Sequence, residues 1–278
     1  MIPRTMTNRA RRTLTGLTIL LAAIALGRGA AAAPMLDLGS ASGFAILAGA
    51  GVTIAAPADS TTITGDIGSS PTLSITGLEN AVLDGVNHSG DAITQLAKTD
   101  LLDAYTDAAG RFADTIYAGG FDLVGLTLYS GVYNSGSSLA LSGTLTLDAE
   151  GNADAVWIFQ AGSTFISASD SSVTLIGGAQ SSHVFWQVGS SATLGTGTDF
   201  AGSILALSSI TLNTGATIDG RLLALDGAIT LDNNDIWLPA GDMAVPEPGS
   251  MLLLGSALAG LVLLSRQLFP AQPRPAVR

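Results

Sequence analysis

A triplet of one small residue, one apolar residue and one threonine recurs through the second half of this chain. It reads Thr144-Leu145-Thr146, Ser172-Val173-Thr174, Ser191-Ala192-Thr193, Ser209-Ile210-Thr211 and Ala228-Ile229-Thr230. Successive threonines are 28, 19, 18 and 19 residues apart. So regular a return is the mark of a chain that coils back over itself and sets each triplet above the last. The middle residue of a triplet points inward and its neighbours outward, because side chains alternate along a strand. Strands stacked ~4.8 Å apart, with outward residues ~6.6–7 Å apart along each, make a two-dimensional array of methyls and hydroxyls. That array suits a flat, ordered binding partner.

The internal matches give the cross-section. Residues 197–207 align with 215–225 at an offset of 18, and 157–163 with 184–190 at an offset of 27. Three sides close the shorter coil, and the longer one extrudes its extra residues at a corner. The expected body is a triangular β-solenoid with Leu, Ile, Val and Phe filling the shaft. Earlier, residues 38–70 also read as short strands punctuated by glycine, whereas 71–89 is irregular and reads as a loop or cap. Between them and the later coils the period changes. Ile93, Ala97, Leu101, Ala104, Ala108, Phe112 and Ile116 recur at three- and four-residue steps, which predicts one helix over about 91–117, capped by Ser89 or Asp91 and ended by Gly119-Gly120.

Both ends read as targeting segments. Four arginines precede the apolar run 14–26, and small residues fill 29–33, so residues 1–33 read as a secretory signal peptide. Residues 34–244 are then the solenoid domain. At the other end Pro246-Glu247-Pro248 precedes an uncharged stretch, 251–264, and Arg266. As a helix that stretch is ~21 Å long, short of the ~30 Å hydrocarbon core. The arrangement in 245–278 resembles PEP-CTERM sorting signals, found in many bacteria that make exopolysaccharide. It departs from them in having a lone Arg266 instead of a basic cluster, and in the tail 267–278. The resemblance implies an exosortase-type processing enzyme as partner, transient anchoring in the inner membrane by the C-terminal helix, and delivery to the cell surface or matrix.

Between residues 34 and 264 only Lys98, Arg111 and Arg221 stand against all 22 acidic residues of the chain. So acidic a body is repelled by phosphate backbones and anionic lipid, which excludes nucleic acid as a partner. There is no cysteine, so packing and hydrogen bonds must provide the stability of an exported domain.

Several segments agree, in order, with one known family. They include Phe44-Ala45-Ile46-Leu47-Ala48, Ile63-Thr64-Gly65-Asp66-Ile67-Gly68, Trp157-Ile158-Phe159-Gln160, Ile210-Thr211-Leu212-Asn213 and Gly220-Arg221-Leu222-Leu223-Ala224. Over residues 38–236 the chain resembles the microbial ice-binding proteins. The resemblance implies an all-β-dominated fold, a discontinuous triangular β-solenoid with one long α-helix alongside. It also implies a first coil before the helix, ice bound by one flat face, and no catalysis.

The face predicted from the triplets comprises Gly51, Thr53, Thr144, Thr146, Ser172, Thr174, Ser191, Thr193, Ser209, Thr211, Ala228 and Thr230. None of these is charged or large, and threonine is stiff at χ1, which keeps methyl and hydroxyl ordered. Threonine also simply suits β-strands, so the ladder taken alone is equally a structural pattern. A further outward column, Ala55, Asp148, Ile176, Gly195, Asn213 and Asp232, is mixed and reads as the edge of the face. An alternative for the same face is a matrix or adhesion protein that binds exopolysaccharide or partner proteins. Catalysis finds no support, with His88 and His183 isolated and neither nucleophile elbow nor phosphate loop present. No metal or cofactor is expected. Gln160 and Gln187 share a repeat position and predict an inward hydrogen-bonding ladder.

Overall fold

The computed structural model describes residues 34–239, except 56, 58 and 59. The predicted leader 1–33 and the sorting segment 245–278 lie outside the described residues. Among the described residues no helix is long and apolar enough to cross a membrane.

Three sheets of eight parallel strands form the body, and the chain visits them in rotation. Two turns precede the helix. Coil 1 is Phe44–Ala48, Val52–Ile54 and Thr61–Thr64, and coil 2 is Asp66–Ser69, Ile75–Thr76 and Ala81–Asp84. Six more follow, coils 3 to 8, which begin in the first sheet with Thr115–Tyr117, Gly131–Ser135, Trp157–Ala161, Val184–Val188, Ser203–Ala206 and Leu222–Ala224. The spatial order is 2-1-8-7-6-5-4-3, so the N-terminal pair of coils is seated on the last coil. The segment 71–89 is therefore no loop: it supplies two sides of coil 2.

That order dictates the helix. Coil 2 ends at one extremity of the stack and coil 3 begins at the other, roughly 34 Å away for eight layers. A helix of 19 residues, Ala92–Gly110, spans about 28 Å of it. Its contacts descend the stack: Lys98 reaches Ala224 and Leu225 of coil 8, Tyr105 is met by Gln187 of coil 6, and Ala108 by Gln160 of coil 5. The Asp91 carboxylate caps the helix by accepting from the Thr94 amide at 2.9 Å, which holds this carboxyl below its ordinary range. Thr94, Ala97, Leu101, Ala104 and Ala108 are its buried stripe.

The helix stops seven residues before the predicted 117. Arg111 is already extended at φ −71°, ψ 140°, and Thr115–Tyr117 belongs to the first sheet. Phe112 and Ile116, assigned by their spacing to the apolar stripe, are 97% and 76% exposed. Their three- and four-residue steps continue the helical period by coincidence. The glutamine ladder is corrected too. Gln160 and Gln187 are in register, but they face the helix rather than the shaft. Gln160 donates to the carbonyls of Ala108 and Arg111 at 2.7 and 2.9 Å, and Gln187 to the Tyr105 hydroxyl at 2.9 Å.

Inside the shaft, side chains stack at the strand spacing. Tyr133, Phe159 and Trp186 lie ring over ring, with centroids 5.5 and 3.9 Å apart. Aliphatic residues continue the same file through Ile204, Leu222 and Ile46. A second apolar layer, which includes Leu47, Ile158, Phe185, Leu205 and Leu223, fills the space between the first sheet and the helix.

Burial pushes the Lys98 ammonium down to about 8, with Asp226 pulling the other way. Burial likewise pushes Tyr133 up to about 12. Between pH 8 and the ordinary lysine value near 10.4, the unfolded chain binds more protons at Lys98, so stability rises with pH. Above about 10 the unfolded tyrosine ionises first, so stability falls. The melting temperature of residues 34–244 is expected to peak near pH 10, and Lys98→Met to remove the rise between 8 and 10. A melting curve flat over that interval in the unsubstituted protein contradicts this assignment.

Candidate functional site

A solenoid of three sheets offers three outer faces, and among the described residues only one is both bare and plain. The helix covers the first sheet. The third sheet carries outward files Thr144, Ser172, Asp199, Thr217, Asp235, Thr62, Val82 and Thr146, Thr174, then Ala201, Asp219, Trp237, Thr64, Asp84. Four carboxylates and a 41%-exposed Trp237 break that surface up. Its hydroxyls are also engaged locally, Thr144 with Ser172 at 2.9 Å and Thr217 with Asp199 at 3.1 Å.

The second sheet differs. Its strands in coils 3 to 8 are Phe121–Asp122, Leu139–Leu141, Phe165–Ser167, Ala192–Leu194, Ile210–Leu212 and Ile229–Leu231, followed in space by Val52–Ile54 and Ile75–Thr76. Their central outward file runs Asp122, Ala140, Ile166, Thr193, Thr211, Thr230, Thr53, Thr76. Five threonines in unbroken register cover about 19 Å. The file beside it runs Thr164, Ser191, Ser209, Ala228, Gly51, Ser74, each carbonyl accepting from the strand below. From coil 4 to coil 2 neither file holds a charge.

The predicted residues therefore divide. Gly51, Thr53, Ser191, Thr193, Ser209, Thr211, Ala228 and Thr230 share the second sheet, whereas Thr144, Thr146, Ser172 and Thr174 lie on the third. The 19-residue step from Thr174 to Thr193 is not one turn of the coil. It leaves the third sheet, rounds the corner through Ser181–His183, crosses the first sheet as Val184–Val188 and arrives on the second. The in-register neighbour of Thr193 in the preceding coil is Ile166, 27 residues earlier and 52% exposed. Asp148 and Ile176 leave the predicted edge column for the same reason. Thr76, Thr164 and Ser74 were missed, although Ser74-Ile75-Thr76 repeats the triplet and the 27-residue offset already sets 164–166 against 191–193.

Among the described residues, no hydrogen bond within the protein engages the hydroxyls of Thr53, Thr193, Thr211 or Thr230. Their polar valence is left for solvent. The flanking serines are held differently: Ser191 and Ser209 each accept from a backbone N–H of the next coil at 3.3 Å. The corner behind the file is tight. A Cβ on Gly195 would lie 2.4 Å from the carbonyl carbon of Ala168, so Gly195→Val must push two coils apart. Its expected cost is about 2–3 kcal/mol, read as a lower midpoint in urea; an unchanged midpoint contradicts that close approach. At the far end Asp122 closes the row. Burial works against its charge, but hydrogen bonds from Ser142 and the Val124 amide prevail and lower its carboxyl.

The site thus has no pocket chemistry. Among the described residues no group of three or more His, Asp or Glu is arranged to hold a metal ion. His88 is spent between Asp66 and Asp91, at 3.3 and 2.7 Å, tying coil 2 to the helix cap. From coil 4 to coil 2, the second sheet of this three-sided solenoid thus presents an extended surface of hydroxyls and methyls with no charge in either file. Residues 46–237 match the family described as ice-binding-like, and 244–267 match the PEP-CTERM protein-sorting motif, which marks the chain for export. An ice-binding protein of Nostoc sp. (strain HG1) is 43% identical over 247 residues, covering 86% of this chain and 90% of the relative. A crystal structure of an ice binding protein from an Antarctic biological consortium is 45% identical with TM-score 0.73, covering 76% of this chain and 95% of that one. That of the ascomycete Antarctomyces psychrotrophicus is 41% identical with TM-score 0.70, covering 73% and 98%. The chain belongs to the ice-binding-like family, whose members are binding proteins and not enzymes.

Proposed function

We propose that the exported body adsorbs to ice through the outer side of its second sheet. The observation that carries this reading is the run Thr193, Thr211, Thr230, Thr53 and Thr76, in register beside Ser191, Ser209, Ala228, Gly51 and Ser74. Stiff threonine side chains on a rigid sheet hold water at fixed spacings, and water so held merges with a growing crystal. Each contact is weak, because water is exchanged for ice. Affinity accumulates over the face, since a preorganised array loses little further freedom on binding. The names of the similar proteins support the same reading.

Delivery follows from the sorting motif. An exosortase-type enzyme cuts the segment that contains Pro246-Glu247-Pro248, after transient anchoring in the inner membrane through 251–264. A second reading, adhesion to exopolysaccharide by the same face, rests on that motif; retention on exopolysaccharide without any effect on ice would favour it. The deciding experiment uses purified residues 34–244 on a cold-stage microscope. Faceted crystals and a gap between melting and freezing are expected, and round crystals growing without a gap would rule ice adsorption out.

A further inference from the structure

Lys98, Arg111 and Arg221 are the only lysine and arginine residues between positions 34 and 239, and all three sit at joins between parts of the chain distant in sequence. Arg111, just past the helix, donates to the carbonyls of Pro34 and Met35. Lys98, in mid-helix, donates to the carbonyls of Ala224, at 2.6 Å, and Leu225. Arg221, wholly buried at the start of coil 8, donates from Nε to the Ser42 carbonyl at 2.9 Å and from Nη1 to the Ser203 hydroxyl at 3.2 Å. Ser42 belongs to the turn Gly39–Gly43, which leads straight into coil 1.

Burying a guanidinium strips it of water at a large cost, so an apolar side chain would fill that space more favourably. What a guanidinium adds is direction, because its donors meet acceptors in a fixed geometry. Direction matters at this join. Coil 1 pairs with coil 8 through Val52↔Ile229 and Ile54↔Leu231, aliphatic against aliphatic, with no short connection to hold them. A slip of two residues would keep every inward side chain inward, yet shift Thr53 and Thr76 by ~6.6 Å along the strands relative to Thr230. Gly49 supports the correct register, since its amide and that of Ala50 both donate to the Gly227 carbonyl, at 3.0 and 2.9 Å.

We infer that Arg221 is a positioning residue for the face: by gripping Ser42 it sets the register in which Thr53 and Thr76 extend the file of Thr193, Thr211 and Thr230. Lys98 and Arg111 close the two other joins. The inference rests on the second sheet being the ice-adsorbing face.

Hydrogen exchange on residues 34–244 tests it without ice. In Arg221→Met the amides of 44–84 are expected to lose protection on the order of tenfold while those of 131–219 keep theirs, with hysteresis reduced and Arg221→Lys intermediate. A disulfide between Thr62→Cys and Asp235→Cys, register partners on the third sheet of the same join, is expected to restore protection and hysteresis to Arg221→Met. Protection lost evenly throughout, or not at all, overturns the inference. So does full hysteresis in Arg221→Met with 44–84 unprotected. Absence of hysteresis in the unsubstituted protein defeats the ice reading alone, since the exchange pattern is read separately.

Discussion

Thr211→Tyr is expected to abolish thermal hysteresis in residues 34–244 while leaving the melting temperature and far-ultraviolet circular dichroism unchanged. Thr211 stands at the middle of the uncharged face, between Thr193 and Thr230. Its side chain points outward, so a phenol there meets no core atom and costs the fold little. Adsorption is another matter. A ring standing proud of the sheet holds several neighbouring rows away from the crystal, and contacts that are individually weak do not survive the separation. The third sheet provides the control. Thr174→Tyr, on the surface broken by Asp199, Asp219 and Trp237, is expected to leave hysteresis intact. Loss in both variants would mean that the two sheets act together, and loss only with Thr174→Tyr would move the site to the third sheet.

Trp186→Ala is expected to be the most damaging single change in the shaft. Its indole stacks on Phe159 at 3.9 Å and lies against Phe165 and Phe200 at 4.8 and 4.9 Å. Its Nε1 donates to the Ala201 carbonyl at 3.1 Å, which the substitution leaves without that partner. Large-to-small changes of this kind cost about 3–5 kcal/mol, on the order of 10 °C in melting temperature for a domain of this size. The aromatic file cannot collapse to fill the hole, because each ring is fixed to its own strand. Trp237→Ala, on an exposed position of the third sheet, is expected to shift the midpoint by less than about 2 °C. Equal shifts in the two variants would contradict the stacked shaft as the main source of cohesion.

The solenoid was legible because its period is written in inward residues, which packing constrains. Ile210 and Ile229, or Leu212 and Leu231, recur at nearly constant separations since each must lie over the last. The face was only half legible. Thr144 and Thr174 imitate the triplet of Thr193 and Thr211, because every side of a solenoid alternates inward apolar with outward small residues. Nothing local tells one side from another. The corner insertions after Asp148 and Ile176 then lengthen two turns, so a step counted between threonines can cross sides and still match the shorter period. Trp157-Ile158-Phe159-Gln160 against Val184-Phe185-Trp186-Gln187 carries the true register, since bulky packed residues fix it better than threonines do. The helix end is hidden in the sequence for a related reason. Phe112 and Ile116 keep the helical spacing, but the chain has by then reached the far end of the stack and must re-enter the first sheet.

Ice adsorption requires that this rigid, hydroxyl-bearing face order water well enough to be overgrown by the crystal. Its most direct measurement is the uptake of fluorescently labelled residues 34–244 into a slowly grown single hemisphere of ice. Bands of fluorescence confined to particular crystal planes are the predicted result. Rejection of the label into the remaining liquid, as for an ordinary acidic protein, would contradict it.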